Sequence, residues 1–412
     1  MKIYMCKMDV ESFWSPENEA HLPSIQNKKL NNVVNAMEEL SYIYGEEEKY
    51  CTLTERAMSE EHIRYLNSIG ISFRNYILDD KLVNSLKEQS TEFSLETYGV
   101  TSQEIQLAND MGFGYNVPSM DVIISVNSKI YSTRMAKELG FAKEAIIVES
   151  AAECEKASDK LFKSHGSFMI KEAYGVSGKG NYKVQVERNR MHFCKELFKQ
   201  EAKGRNVHFI IEPFYEVDVN FSTQFYVTNE GEIRLLSTQQ ILNNQFSYGG
   251  AVSIGNDFKT KLEEEGYFGV MEKVGRRLYK DGYYGHVCVD SMMLTDGTLV
   301  PIVEINARRS MSLMKYYLDK RFLKDHYKSI LFSVNTEVNT NSNFQKLLKK
   351  MNEHGLLYTK ECPKGIIPLS ANTLFINAML YKEEKNRGRI YCYGLTEEEP
   401  QQLVQEMEEL LK

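Results

Sequence analysis

Asp290, Glu304, Asn306 and Arg308 carry the strongest chemical signal in the sequence. Gly285-His-Val-Cys-Val-Asp290 and Pro301-Ile-Val-Glu304-Ile-Asn306-Ala-Arg308 flank Thr295-Asp-Gly-Thr298, a hairpin signal between two apolar runs. Folding about Asp296 and Gly297 sets Asp290 opposite residues 303 to 304, and strand alternation places Glu304, Asn306 and Arg308 in one row. Two carboxylates and an amide are hard oxygen donors, suited to a divalent cation such as Mg²⁺ that also holds phosphates. The arginine suits an anionic transition state or a transferred phosphoryl group. A purely structural role would leave two acids unpaired on a buried hairpin face, which is costly.

A second group of residues suits phosphate. In Lys171-Glu-Ala-Tyr-Gly-Val-Ser-Gly-Lys-Gly180 a strand ends in a lysine, and three glycines in six residues precede the next strand. Gly175, Gly178 and Gly180 tolerate positive φ, so backbone N–H groups from Val176, Ser177 and Lys179 can converge on an anion. Lys171 and Lys179 add charge where phosphates sit. This is not a Walker A loop: Gly180 follows the Gly-Lys pair where Ser or Thr is required, and Ala173 occupies the place of the first glycine. Read alone, the segment equally describes a flexible hairpin with solvated lysines.

Ile210-Ile-Glu-Pro-Phe-Tyr215 carries a strand through Glu212 into Pro213, which lacks an N–H, and on to Phe214 and Tyr215. The Pro213 carbonyl suits an adenine amino group and the Tyr215 N–H a ring nitrogen. Glu216 or Asp218, just beyond, suits ribose hydroxyls. In isolation the segment is a strand end with an exposed acidic turn.

Two further stretches have competing readings. Thr238 to Gly250 is rich in amides and glycines, and Gln239, Gln240, Tyr248 and Gly249 suit a carboxylate or acceptor pocket, or else belong to a long polar surface loop. Lys315 to Lys328 carries five Lys/Arg against two Asp, which suits docking of an acidic carrier protein or, more simply, a solvated helix face. Nucleophile schemes find no support, because no G-x-S-x-G motif occurs and no cysteine sits in an electropositive elbow.

These residues require an alternating framework. Met1 to Met5 reads as a strand, and the segment to Val126 alternates short apolar runs with helical patterns, with MGFGYNVPSMDVIIS (111–125) as a loop that feeds a buried strand. Its Gly-Phe-Gly lacks the third glycine of a dinucleotide-binding fingerprint. Ser128 caps a helical run, Lys129 to Leu139, that Gly140 stops. Strand IIV (146–148), a helix from Ala151 to His165, and the strands that carry the motifs follow. Gly355 to Lys412 holds two short strand candidates and a helix, consistent with a small closing domain.

Composition narrows the class. At 412 residues the chain has material for two or three domains, and 42% hydrophobic with 26% charged residues is ordinary for a globular protein. No apolar run approaches the roughly 18 residues of a membrane span, and the N-terminus breaks where a signal peptide needs its apolar segment. A net charge of −7 provides no global field for nucleic acid. Seven scattered cysteines without a CxxC read as reduced thiols filling small core spaces in a cytoplasmic protein.

Taken in order, the motifs from about Asn127 to Ser310 resemble the ATP-grasp superfamily of ligases. That pattern has a lysine opening the first helix (Lys129), a lysine at a strand end (Lys171) and a glycine-rich loop (Gly175 to Gly180). A hinge strand at the adenine (Glu212 to Tyr215) and an acid-hairpin-E-x-N metal site (Asp290, Glu304, Asn306) complete it, and Arg308 resembles the arginine that steadies an acyl-phosphate. Asp218 stands where many members have Glu. NSKIYSTRMAKELG (127–140), the long N-terminal segment and GRIYCYG (388–394) are similar to a narrower group, the pheganomycin-type peptide ligases and the glutamate–acyl carrier protein ligase of butirosin biosynthesis.

The resemblance implies an α/β chain in three parts: an N-terminal α/β domain (1–126), a two-lobed ATP-grasp core clamping ATP (127–350) and a small C-terminal α+β domain (351–412). It implies ATP and Mg²⁺ as cofactors, with Lys129 and Lys171 on the α/β-phosphates and Arg308 and Lys171 as catalytic residues. The implied activity is ATP-dependent activation of a carboxylate, such as an amino acid, with transfer to an acyl carrier protein thiol or an amine, in antibiotic or other secondary-metabolite biosynthesis. Alternatives are a phosphotransferase of the same fold and a non-catalytic nucleotide-binding regulator, which would be expected to lose the Glu/Asn/Arg row. The expected partners are a small carboxylate and an acyl carrier protein, with a homodimer as the oligomeric option and neither nucleic acid nor membrane.

Overall fold

The structure, a computed structural model, describes every residue except 24–26, 47, 80–91, 142–143, 176–179, 245–246, 340–341 and 382. Three sheets organise it. The first holds β1 (Lys2–Met5), β2 (Tyr50–Thr54), β3 (Arg74–Ile77) and β4 (Ser94–Thr97), all parallel, in the order β3-β2-β1-β4. All five residues of β2 are buried, as befits a parallel strand covered on both faces.

The second sheet is antiparallel and holds β5 (Ile146–Val148), β6 (Phe168–Glu172), β7 (Asn181–Val184) and β8 (Phe209–Pro213), in the order β5-β8-β6-β7. Helices Ala151–His165 and Glu187–Ala202 cover one face, and alternate residues of β6, Phe168 and Ile170, pack into that core. Strand alternation therefore turns Met169 and Lys171 to the opposite face.

The third sheet has eight antiparallel strands. In chain order these are β9 (Val217–Val227), β10 (Ile233–Asn244), β11 (Ser247–Ser253), β12 (Gly285–Leu294), β13 (Leu299–Asn306), β14 (Lys328–Val338), β15 (Gly365–Pro368) and β16 (Asn386–Thr396). Their spatial order is β13-β12-β9-β10-β11-β14-β16-β15. The strands of residues 351–412 thus continue this sheet rather than building one of their own, and β16 pairs with β14 over its whole length.

Two expectations are corrected. Asp121–Val126 is not a strand but part of the helix Met120–Val126, because Ser119 caps it by accepting from the Val122 N–H and its buried residues, Ile123 and Val126, lie three apart. The expected loop at Thr238 to Gly250 is the β10–β11 hairpin. All seven cysteines are free, and all but Cys362 are buried. No helix among the described residues is long and apolar enough to cross a membrane.

Candidate active site

The β12–β13 hairpin forms as its sequence requires, with Asp290 directly opposite Glu304 and Cys288 opposite Asn306. Asn306 Nδ2 donates to Asp290 Oδ2 (3.0 Å), and Arg308 Nη2 donates to Asn306 Oδ1 (3.0 Å). Burial, then the neighbouring Glu304 carboxylate, push the Asp290 carboxyl up to about 7, against the pull of Arg308 and Lys129.

The outer edge of β13 is fixed by side chains rather than by another strand. Ser132 Oγ accepts from the Ile305 N–H (2.9 Å) and Asn127 Oδ1 from the Ala307 N–H (2.8 Å). Both acceptors belong to the segment around the helix Lys129–Glu138, whose start is capped by Ser128. That helix delivers Lys129, whose Nζ donates to Glu304 Oε1 (2.7 Å) and to the Gly175 carbonyl (3.0 Å).

A cleft of about 320 Å³ lies between the second and third sheets, with this hairpin on one wall. Lys171 lines the other wall and pairs with Glu212 at 2.5 Å. Burial alone would lower the Lys171 ammonium, but Glu212, with Glu304 and Asp290 behind it, outweighs burial and the net shift is upward. The ladder of β8 to β5 ends at Ile146↔Ile211, so among the described residues the Glu212–Phe214 backbone has no strand neighbour on that side. Glu212, Pro213, Phe214 and Tyr215 all line the cleft, as does Gly175. Gly180 has a φ of +82° and its carbonyl accepts from the Glu172 N–H (2.8 Å), which closes the base of the glycine loop. Val176, Ser177, Gly178 and Lys179 lie outside the described residues.

Three contributors carried no separate sequence signal. Met169 and Met292 line the cleft as apolar walls, each two residues from a charged group on the same strand, Lys171 and Asp290. Strand parity would have found them. Glu11 is different: Arg308 Nε donates to its Oε1 (2.6 Å) and Nη2 pairs with the same oxygen, across 297 residues of chain. Arg308 Nη1 also donates to Tyr98 Oη (2.9 Å) and to the Arg309 carbonyl (3.0 Å). Burial would lower the guanidinium's affinity for its proton, but Glu11 and Tyr98 reverse this and hold it charged.

Several expected residues stand elsewhere. Asp218 and Glu216 are exposed and neither lines the cleft, because Val217 and Asn220 take the inward positions at the start of β9. Gln239 is buried beneath the helix Met311–Phe322 and donates to the Ser312 carbonyl (3.0 Å), while Gln240, one residue on, has the opposite parity. Gly249 is the extra residue of a bulge between the pairs Leu242↔Gly250 and Asn243↔Tyr248, and does not line the cleft. The bulge sets Tyr248 opposite Asn243, and these two line the cleft with Ile241. The Lys315–Lys328 run is not a free basic face. Lys315 is fully buried on Asp319, Ser253 and Ser329, Lys320 pairs with Glu46, Arg321 donates to the Gly45 carbonyl and Lys328 pairs with Glu399.

Among the described residues, no group of three or more His, Cys, Asp or Glu is placed to hold a metal by itself. The hairpin set is two carboxylates and an amide, and the raised Asp290 marks two acids held side by side in the cleft. Such a set fits Mg²⁺, which completes its coordination with phosphate and water oxygens.

The family model for ATP-grasp ligases described as L-aspartate--L-methionine ligase matches residues 145–306. The chain is also 27% identical over 197 residues to the [butirosin acyl-carrier protein]--L-glutamate ligase of Niallia circulans. That match takes in 46% of this chain and 45% of that protein, so the chain spans about half the length of the relative it matches. Among solved structures it is similar to N5-carboxyaminoimidazole synthetase from Staphylococcus aureus complexed with ADP, with a TM-score of 0.53 at 14% identity over 92% of this chain and 95% of that one. It is similar too to the biotin carboxylase–β-γ-ATP complex from Campylobacter jejuni, with a TM-score of 0.53 at 11% identity over 90% and 87% of the two chains.

Proposed function

We propose, on the premise that this chain is an ATP-grasp protein, that it is an ADP-forming ligase that activates a carboxylate and transfers the acyl group to an acceptor. The observation that carries this reading is the row Asp290, Glu304, Asn306 and Arg308 on one wall of a cleft whose other wall holds Lys171. The substrate class is an amino acid carboxylate, and the acceptor an amine or a carrier-protein thiol. The two matched ligases act, by name, on aspartate with methionine and on an acyl-carrier protein with glutamate. Antibiotic or other secondary metabolism is the context the second of these supports.

The residues divide the work electrostatically. Lys129 and Lys171 meet the α/β-phosphates of ATP, and each already sits against a carboxylate that fixes its position. Pro213 and Tyr215 offer a backbone carbonyl and an N–H to the adenine edge, with Met169 and Met292 as apolar walls. Asp290, Glu304 and Asn306 would hold Mg²⁺, which when bound neutralises phosphate charge. Arg308 steadies the substrate carboxylate as its oxygen attacks the γ-phosphorus and ADP leaves. The same guanidinium then steadies the phosphate that departs when the acceptor attacks the acyl carbon.

Glu304→Ala should lower ADP formation by about 100-fold or more with an unchanged circular dichroism spectrum. Wild-type turnover in that variant at saturating Mg²⁺ would remove the metal assignment. ADP release that requires no acceptor would favour a phosphotransferase instead.

A further inference from the structure

We propose that Glu172 is a positioning residue: it fastens an N-terminal strap behind the cleft wall that carries Lys171, and so fixes that lysine relative to Arg308 on the facing wall. The proposal rests on the ligase reading above, in which those two side chains act in one reaction.

The strap begins at the arginine. Glu11, the partner of Arg308, opens the short helix Glu11–Trp14. Trp14, the chain's single tryptophan, is buried in the same core as Tyr98, and its Nε1 donates to the Val100 carbonyl (2.8 Å). From Pro16 the chain leaves that core and runs onto the lobe built on the second sheet. The Ala20 N–H donates to the Asn206 carbonyl (2.8 Å) and the Asn206 N–H to the Asn18 carbonyl (2.8 Å), a parallel bridge just ahead of β8. Ala20 and Leu22 are buried in the core beneath the helices Ala151–His165 and Glu187–Ala202. Alternation turns Glu19 the other way, against His208 Nδ1 (2.9 Å). Gln200, on the second of those helices, grips the strap backbone twice: Oε1 accepts from the His21 N–H (3.0 Å) and Nε2 donates to the His21 carbonyl (2.9 Å).

Glu172 is where the strap meets the site. Its Oε1 accepts from the Leu22 N–H and lies 3.6 Å from His21 Nδ1. Its own N–H donates to the Gly180 carbonyl (2.8 Å), and a methyl group on Gly180 would meet its Oε2 at 2.9 Å. Lys171 precedes it on β6. Strand parity turns Lys171 into the cleft and Glu172 to the opposite face, and Glu172 does not line the cleft. It therefore acts through its neighbours. The two residues that follow are held as well: the Ala173 carbonyl accepts from the Lys129 N–H (2.8 Å), and Tyr174 Oη donates to the Ile124 carbonyl (3.2 Å).

Lys171 and Arg308 belong to different sheets, and the strap is a continuous run of chain that grips both. Reacting groups tolerate little slack, since a misplacement of about 1 Å costs about 100-fold in rate. A carboxylate is the stronger acceptor for a backbone N–H, so the fastening at Leu22 is firm.

The test compares Glu172→Ala, Glu172→Gln and Gln200→Ala in the full chain. ADP formation from MgATP and a mixture of the twenty amino acids is followed well below each melting transition. Glu172→Ala and Gln200→Ala should each lower kcat about tenfold and leave the KM for ATP within about twofold of the parent. Glu172→Gln keeps an oxygen for the Leu22 N–H and should stay within about threefold of the parental kcat. The double variant should lose little more than either single one, because both release the same strap. Pulsed electron paramagnetic resonance reads the strap without turnover. Nitroxides at Lys163→Cys and Lys349→Cys, exposed sites on the lobe and on the helix Phe344–Glu353 against the third sheet, are placed in a Cys362→Ser background. Their distance distribution should be wider in Glu172→Ala and Gln200→Ala than in the parent. Gln200→Ala carries the test should Glu172→Ala fail to fold. Parental kcat or an unchanged distribution in Gln200→Ala overturns the proposal, as do additive losses in the double variant. A raised KM for ATP at parental kcat also overturns it, since Glu172 would then serve nucleotide binding alone. A parent that forms ADP without an acceptor, or forms none, defeats the ligase reading instead, while a distribution that widens in the variants keeps the strap.

Discussion

Replacing Glu11 by Ala should damage a site whose other members lie some 280 residues or more downstream or in another sheet. Glu11 and Arg308 expose only 6% and 10% of their side chains, and removing one partner of a buried pair costs about 3–5 kcal/mol because it strands the other charge. Arg308 would keep Tyr98 Oη, the Arg309 carbonyl and Asn306 Oδ1 as acceptors at 2.9–3.0 Å, so the lower end, about 3 kcal/mol, is expected. Urea unfolding followed by fluorescence and circular dichroism measures it. If half of that loss reappears as poorer positioning of Arg308, kcat falls about tenfold or more, with the KM for ATP little changed. Glu11→Gln, which keeps one oxygen acceptor, should fall between parent and Glu11→Ala. In an Arg308→Met background, Glu11→Ala should cost far less, because the stranded charge is gone. Additive losses in that cycle, or a Glu11→Ala variant with parental midpoint and kcat, would refute the reasoning.

Other sites give simpler outcomes. Asp290→Asn removes one of two acids held together and keeps an acceptor for Asn306, so the ligand-free protein should gain about 1 kcal/mol in urea unfolding while the Mg²⁺ requirement of ADP formation rises about tenfold or more. Glu39 is buried and accepts from the N–H groups of Ala371, Asn372 and Thr373 at the start of the helix Asn372–Leu380; burial, partly opposed by those donors, pushes its carboxyl up to about 7. The folded state then keeps a proton that the unfolded chain releases near pH 4.5, so this group's contribution falls as pH rises from about 4.5 to about 7, and Glu39→Gln should flatten that part of the Tm–pH curve. Lys315→Met leaves Asp319, Ser253 and Ser329 without their ammonium donor and should cost about 2–4 kcal/mol in urea unfolding, without changing ATP affinity.

What could be read from the sequence was local. The turn at Asp296-Gly297 sets the register that pairs Asp290 with Glu304, so both acids were visible from spacing alone. Ser128 before Lys129 and Gly166 after His165 carry their own start and stop signals. Failures came where a competing local signal or distant chain decides. Asp121–Val126 has strand-forming residues, yet the cap at Ser119 makes it a helix. Lys315 reads as a solvated charge, but Asp319 one turn on and two serines from other strands accept it in the core. Gln240 lost its place to strand parity, and Gly249 to a bulge that no local residue announces. Nothing near Glu11 or Arg308 in sequence points to the other, since only the packing of the first sheet against the third brings them together.

The hydroxyl of Ser132 and the amide of Asn127 occupy ladder positions that a neighbouring strand would otherwise fill along β13. A bare border of this kind invites edge-to-edge stacking of one molecule upon another. Short polar side chains, from a buried segment that covers this border, close it to a second copy at the strand that bears Glu304 and Asn306. Ser132→Ala would leave the Ile305 N–H, still covered by the helix Lys129–Glu138, without its acceptor, at a cost of about 1–3 kcal/mol in urea unfolding.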